Sequence, residues 1–191
     1  ASRWSPAALR LEFPILQREI NGSPLHYLDN AATTFSPRCV QEAMSQYENN
    51  SRSNVQRGTH QLGGEATDAF EAARTHVANY LNAASSEEII FTPGTTFGVN
   101  LVAQCLGPSM SAGDELVVSV AEHHSNFVPW QRLCEQYDLQ LRLIPVLANG
   151  SLDLRRLDEL GGERCRLVAV SHVSNVTGSI TDLAAVSRAA R

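Results

Sequence analysis

Apolar residues along the chain follow two alternating rhythms. Short runs that are apolar almost throughout occur at EEIIFT (Glu87–Thr92), DELVVSV (Asp114–Val120), LQLRLIPV (Leu139–Val146) and RLVAVSHV (Arg166–Val173). Their length and β-branched content predict buried strands. A further short strand is expected at HYLD (His26–Asp29). Between these runs the apolar positions recur every three to four residues, which predicts helices over Pro37–Tyr47, Ala66–Asn82, Thr95–Leu106, Asn126–Tyr137, Leu152–Leu160 and Thr181–Arg191. In the second of these, Ala69, Phe70, Ala73, Val77 and Leu81 are expected to share the inward face.

Apolar strands that alternate with amphipathic helices predict an α/β fold with a mostly parallel sheet flanked by helices on both faces. The pattern holds no internal repeat and no low-complexity tract. The final helical stretch carries no C-cap signal, and a helix after a buried strand ordinarily returns the chain to the sheet. The expectation is therefore one domain over residues 1–191, incomplete at its C-terminus.

Composition narrows the classes. With 191 residues, 43% hydrophobic and 18% charged, the chain has the make-up of a globular domain able to bury a core. The net charge is −5 and the arginines are scattered, which argues against nucleic acid or an anionic membrane as partner. No apolar run approaches the length needed to cross a bilayer. The first residues lack a charged end followed by an apolar stretch, so no secretory leader is expected and the cytoplasm is the expected compartment. The four cysteines, Cys39, Cys105, Cys134 and Cys165, are widely spaced, which argues against disulfides and a zinc knuckle. Cys105 and Cys134 fall in helical patterns and are expected as buried thiols. All fifteen basic residues are arginine; the chain contains no lysine.

In open α/β sheets ligands bind where strands end and helices begin, and three such junctions carry unusual residues. In FTPGTTFGVN (Phe91–Asn100) a strand runs into Pro93-Gly94, and Thr95 and Thr96 open a helix. Free N–H groups, a positive dipole end and two hydroxyls suit a phosphate; an ordinary threonine cap explains the same residues equally well. In EHHSNFVPW (Glu122–Trp130) two histidines follow a strand. Consecutive residues on a strand end point opposite ways, so a shared metal is not expected; one ring in the crevice could stack on an aromatic ligand or move a proton. A pair of surface histidines is the plainer reading. In SHVSNVTGS (Ser171–Ser179) Asn175 offers an amide at a strand end, where an Asx-turn that merely stops the strand is the alternative. Together the three junctions favour one phosphorylated, aromatic small molecule.

YLDNAATT (Tyr27–Thr34), GTTFGVNLVA (Gly94–Ala103), AGDELVVSVAEHHSNFVPW (Ala112–Trp130) and HVSNVTGS (His172–Ser179) resemble the class V aminotransferase family, and within it the cysteine desulfurases of the SufS/CsdA-like branch. The resemblance implies the large domain of a fold type I enzyme dependent on pyridoxal 5′-phosphate, preceded by an N-terminal arm over about residues 1–35, with the C-terminal half absent. It implies removal of sulfur from L-cysteine, leaving L-alanine and an enzyme persulfide whose sulfur serves iron–sulfur cluster assembly. It further implies a homodimer and a sulfur-acceptor protein. Thr95 and Thr96 match the residues that hold the cofactor phosphate. His123 matches the histidine that stacks on the pyridine ring and takes part in proton transfer, with His124 a bystander. Asn175 matches the residue at the cofactor's phenolic oxygen and the substrate carboxylate. Ala31 and Ala32 match the small-residue turn beside that carboxylate. The chain departs from the pattern in VQRGTH (Val55–His60), where Gln56 stands at a position that relatives often fill with histidine. The family's cofactor-binding lysine, its aspartate at the pyridine nitrogen and its nucleophilic cysteine are expected beyond Arg191. This chain alone is therefore expected to be inactive and poorly stable. Two other readings stay open: another class V enzyme such as a selenocysteine lyase, and a truncated binding protein without catalysis.

Overall fold

A computed structural model describes residues 5–190. The first four residues of the expected N-terminal arm, and Arg191 at the expected end of the last helix, lie outside the described residues. The chain forms two compact units, one up to Ile90 and one from Phe91 onward.

In the first unit, helix α1 (Pro6–Leu11) is opened by Ser5, whose hydroxyl accepts the Ala8 N–H at 3.1 Å, with proline in the first turn. A 3-10 turn (Pro14–Gln17) leads into the antiparallel hairpin of β1 (Glu19–Ile20) and β2 (Ser23–Pro24). Asn21 and Gly22 form its loop at φ 54° and 76°, the left-handed pair that a two-residue hairpin turn requires. Arg10 ties these pieces together by donating to the carbonyls of Leu16 and Leu25 at 2.6 and 2.7 Å. Helix α2 (Arg38–Asn50) follows, then α3 (Gln61–Leu81), whose first turn is capped by the His60 ring and which ends on left-handed Asn82.

Three expectations fail in this unit. His26–Asp29 is not a strand; it leads into a turn in which the Asp29 carbonyl accepts the N–H groups of Ala32 and Thr33. Glu87–Thr92 is not a strand either: its start is a 3-10 turn (Ser86–Glu88) closed by a capping box at Ser85 and Glu88, and Ile90 is exposed. A strand needs a ladder partner, and none pairs with this segment among the described residues. The buried stripe of α3 also runs differently, through Gly63, Ala66 and Ala78, with Leu81 and Ala69 exposed. The stripe is set by close packing at small residues: the Gly63 and Gly58 backbones approach so tightly that a Cβ on either would stand 2.6 Å from the other's Cα.

The second unit is the expected layered α/β structure. Helix α4 (Thr95–Leu106) precedes β3 (Glu115–Ser119). A 3-10 turn (His124–Asn126) and α5 (Val128–Tyr137) lead to β4 (Gln140–Ile144). A second 3-10 turn (Leu154–Arg156), α6 (Leu157–Leu160), β5 (Cys165–Ala169) and α7 (Leu183–Ala189) complete it. The order in the sheet is β4-β3-β5, and both pairings are parallel. The alternation of side chains along central β3 builds two cores. Leu116 and Val118 face Ala103 of α4 and Trp130, Leu133 and Cys134 of α5. Val117 faces the other way, onto Ile144, Leu157, Leu160 and Val186. Leu116, Val117 and Val118 are fully buried, and each such side chain contributes roughly 1.5–3 kcal/mol by leaving water. Cys134 lies in this core as expected, but Cys105 is exposed, because α4 turns Ala103 inward and leaves residue 105 on its outer side.

Candidate functional site

The ends of the parallel strands gather the chemistry of the second unit. Gly94 precedes α4 at φ 115°, a conformation that favours glycine, and a Cβ there would meet nothing within 4 Å. Among the described residues no side chain caps the helix, and its first turn contains no acidic residue. The leading N–H groups of a twelve-residue helix are thus open beside the hydroxyls of Thr95 and Thr96, both exposed. Uncapped N–H groups, two hydroxyls and the positive dipole end form a donor set that fits a phosphate dianion. Helix α4 packs against the 3-10 turn His124–Asn126 and against α5.

His123 follows β3 after the short turn 120–122 and caps that 3-10 turn. Its Nδ1 accepts the Ser125 N–H at 3.1 Å and stands 2.8 Å from the Ser125 hydroxyl. A backbone N–H can only donate, so Nδ1 is an acceptor and the neutral ring carries its proton on Nε2. The ring is exposed, as is His124, whose centroid lies 6.2 Å away at an interplanar angle of 44°. Among the described residues no group of three or more histidine, cysteine, aspartate or glutamate side chains is placed to hold a metal.

Asn175 sits in the loop after β5. That loop closes through the Val173–Ile180 bridge, a Ser174 N–H to Ser179 carbonyl bond of 3.0 Å, and left-handed Gly178. The Asn175 side chain is exposed and makes no hydrogen bond among the described residues, which leaves its amide available to a ligand.

Sequence reasoning missed Glu122. This buried carboxylate stands between the two loops. Its Oε1 accepts the Ser119 hydroxyl and the Ser171 N–H, the latter at 2.8 Å; its Oε2 accepts the Ser171 hydroxyl at 2.6 Å and the Asn126 Nδ2 at 2.8 Å. The available signal was a glutamate and two serines at the ends of otherwise apolar strands. Such buried polar atoms need partners.

The remaining residues belong to the first unit. Ala31 and Ala32 are exposed in a turn whose conformation is held by the Tyr27 hydroxyl, which donates to the carbonyls of Asp29 and Thr33, both at 3.0 Å. Gln56 is left-handed at φ 66°; its N–H donates to Thr67 Oγ1 and its amide to Glu71 Oε1. An amide side chain has no proton to exchange in general acid–base work.

A parallel sheet with helices on both faces, with an imidazole and an amide on its strand-end loops and an open N-terminus on one of the packed helices, defines an α/β protein of the kind that binds ligands beyond the carboxyl ends of its strands. The chain belongs to the class V aminotransferase family, which residues 26–191 match. It is 46% identical over 184 residues to a probable cysteine desulfurase of Vibrio cholerae, covering 96% of this chain and 46% of that protein. It is 46% identical over 182 residues to the cysteine desulfurase of Cronobacter sakazakii, covering 95% and 45%. Among solved structures, the apo cysteine desulfurase of Thermococcus onnurineus NA1 superposes with a TM-score of 0.91 at 38% identity, covering all of this chain and 46% of that one. CsdA of Escherichia coli superposes at 0.80 and 40% identity, covering 97% and 46%. The chain spans about half the length of the curated relatives it matches.

Proposed function

We propose that this chain is the cofactor-cradling half of a pyridoxal phosphate-dependent cysteine desulfurase. The observation that carries the reading is the uncapped start of α4, with Gly94, Thr95 and Thr96, on a helix packed against the turn that His123 caps. The 46% identity to proteins named cysteine desulfurase supports it over a selenocysteine lyase.

In this reading Thr95, Thr96 and the first N–H groups of α4 hold the phosphate. His123 lies over the pyridine ring, its Nδ1 engaged by Ser125, so that Nε2 is the atom that holds or moves a proton. Asn175 orients the phenolic oxygen and the substrate carboxylate. When bound, pyridoxal phosphate supplies the electron sink that lets the carbon–sulfur bond of L-cysteine break. The chain has no lysine, so no lysine of these residues binds the cofactor covalently. A homodimer, a sulfur-acceptor protein and a cytoplasmic setting complete the reading; among the described residues no helix is long and apolar enough to cross a membrane.

The test is to load the full-length gene product with pyridoxal phosphate and supply L-cysteine. Alanine and protein-bound sulfane sulfur in equal amounts are expected. Release of alanine from selenocysteine alone, or no alanine with the cofactor bound, overturns the assignment.

A further inference from the structure

The strongest unexplained feature is a buried polar chain that joins the loop carrying His123 to the loop carrying Asn175. Its centre is Glu122, fixed by donors from both sides. On the near side, Trp130 Nε1 donates to Asn126 Oδ1 at 3.0 Å. The indole N–H can only donate, so the Asn126 amide cannot be flipped, and its Nδ2 must face Glu122 Oε2. On the far side, the Ser171 backbone N–H faces Oε1. Each carboxylate oxygen therefore meets one donor that cannot be reversed. The far loop is held in turn by Thr181, which donates its hydroxyl to the Ser171 carbonyl and its N–H to the His172 carbonyl, both at 2.8 Å.

We infer that Glu122 is a positioning residue of the site. Its two oxygens lock the segment after β3, hence His123, to the segment after β5, hence Asn175, at a fixed separation. The role in cofactor binding rests on the function proposed above; the locking of the two loops does not. Simple strand termination explains a carboxylate at this position but does not require donors of fixed polarity on both oxygens.

The polarity gives a sharp test. In Glu122→Gln one oxygen becomes an NH2 group, and in either orientation that group confronts a donor, Asn126 Nδ2 or the Ser171 N–H. Adding Asn126→Asp restores the match: one aspartate oxygen still accepts from Trp130, and the other accepts from the new amide. The measurements use the full-length protein: amide hydrogen exchange over residues 171–178, and affinity for pyridoxal phosphate by spectroscopic titration. In E122Q exchange over 171–178 is expected to quicken, and the cofactor to bind on the order of 10-fold more weakly, as when one buried donor loses its acceptor. In E122Q/N126D both are expected to return to within about 3-fold of wild type, a residual of well under the 1.4 kcal/mol that a tenfold change represents. Should E122Q not fold, S171A, which removes one hydroxyl and keeps the backbone donor, is expected to shift both readouts in the same direction by less. Unchanged exchange in E122Q, or a double variant as impaired as the single one, overturns the inference. If the wild type binds no pyridoxal phosphate, the functional reading fails and the exchange data alone decide the locking role.

Discussion

At the residue scale, the structure sorts chemically similar side chains by surroundings. Burial, and secondarily the neighbouring Glu135 charge, pushes the Cys134 thiol up from its ordinary value. Burial likewise raises Cys165. Cys39 and Cys105 are exposed, and the thiolate is the reactive form. Brief alkylation near neutral pH followed by peptide mass spectrometry is expected to mark Cys39 and Cys105 first and to leave Cys134 and Cys165 largely unmodified until the fold is opened. Asp114 gives a pH-dependent counterpart. The Ser111 N–H on its carboxylate, with Arg166 beside it, holds it below the usual carboxylate range. A depressed folded value means that its stabilisation is complete above the unfolded value of about 4 and disappears as pH falls through the folded one. Asp114→Asn is therefore expected to be less stable than wild type at pH 7, with the gap closing below about pH 4 in urea titrations. The thiols and histidines were legible as residue types. The exposure of Cys105 was not, because helix periodicity left the inward face of α4 undetermined by a residue or two.

Elements with one dominant physical cause were the readable ones. The three strands of the second unit were found within one to four residues of their ends because each is a short run rich in Leu, Val and Ile, although only central β3 is buried along most of its length while β4 and β5 keep exposed positions. Helix α4 was found to the residue. The β1–β2 hairpin rests on only two paired residues per strand, too short to leave an apolar alternation, and its one signal was Asn21-Gly22. Glu87–Thr92 misled because its apolar content is real while its ladder partner is not among the described residues. The stripe of α3 misled because small residues, rather than large apolar ones, mark its contact. Two substitutions weigh these causes. Leu116→Ala, at the centre of the β3 core, is expected to cost about 2–5 kcal/mol in a denaturant titration. Gly63→Ala gains helix propensity of about 1 kcal/mol but drives a Cβ into the Gly58 backbone, and overpacking of that kind costs about 1–3 kcal/mol. A lowered midpoint is expected, and a raised one means that the Gly58 loop yields freely.

For the molecule as a whole, the fold class followed from rhythm, whereas the working unit of the site did not. Thr95, Thr96, His123 and Asn175 were each visible at an expected strand–helix junction, although the segment before Thr95 pairs with no strand among the described residues. The carboxylate that joins two of those junctions was hidden, because Glu122 and Ser171 lie 49 positions apart in sequence and meet only when β3 and β5 pair. The central claim is that an anionic tail sits at the open start of α4 while an aromatic ring lies under His123. Pyridoxamine 5′-phosphate tests it most directly, since it needs no covalent attachment. Its dissociation constant is measured by fluorescence for the full-length wild type, for the T95A/T96A pair and for H123A. Hydrogen bonds to a charged group are worth about 1.5–3 kcal/mol, so a weakening of roughly 10- to 100-fold is predicted for the threonine pair, with a smaller loss and an altered cofactor spectrum for H123A. Affinity and spectrum indistinguishable from wild type in both variants would contradict the account.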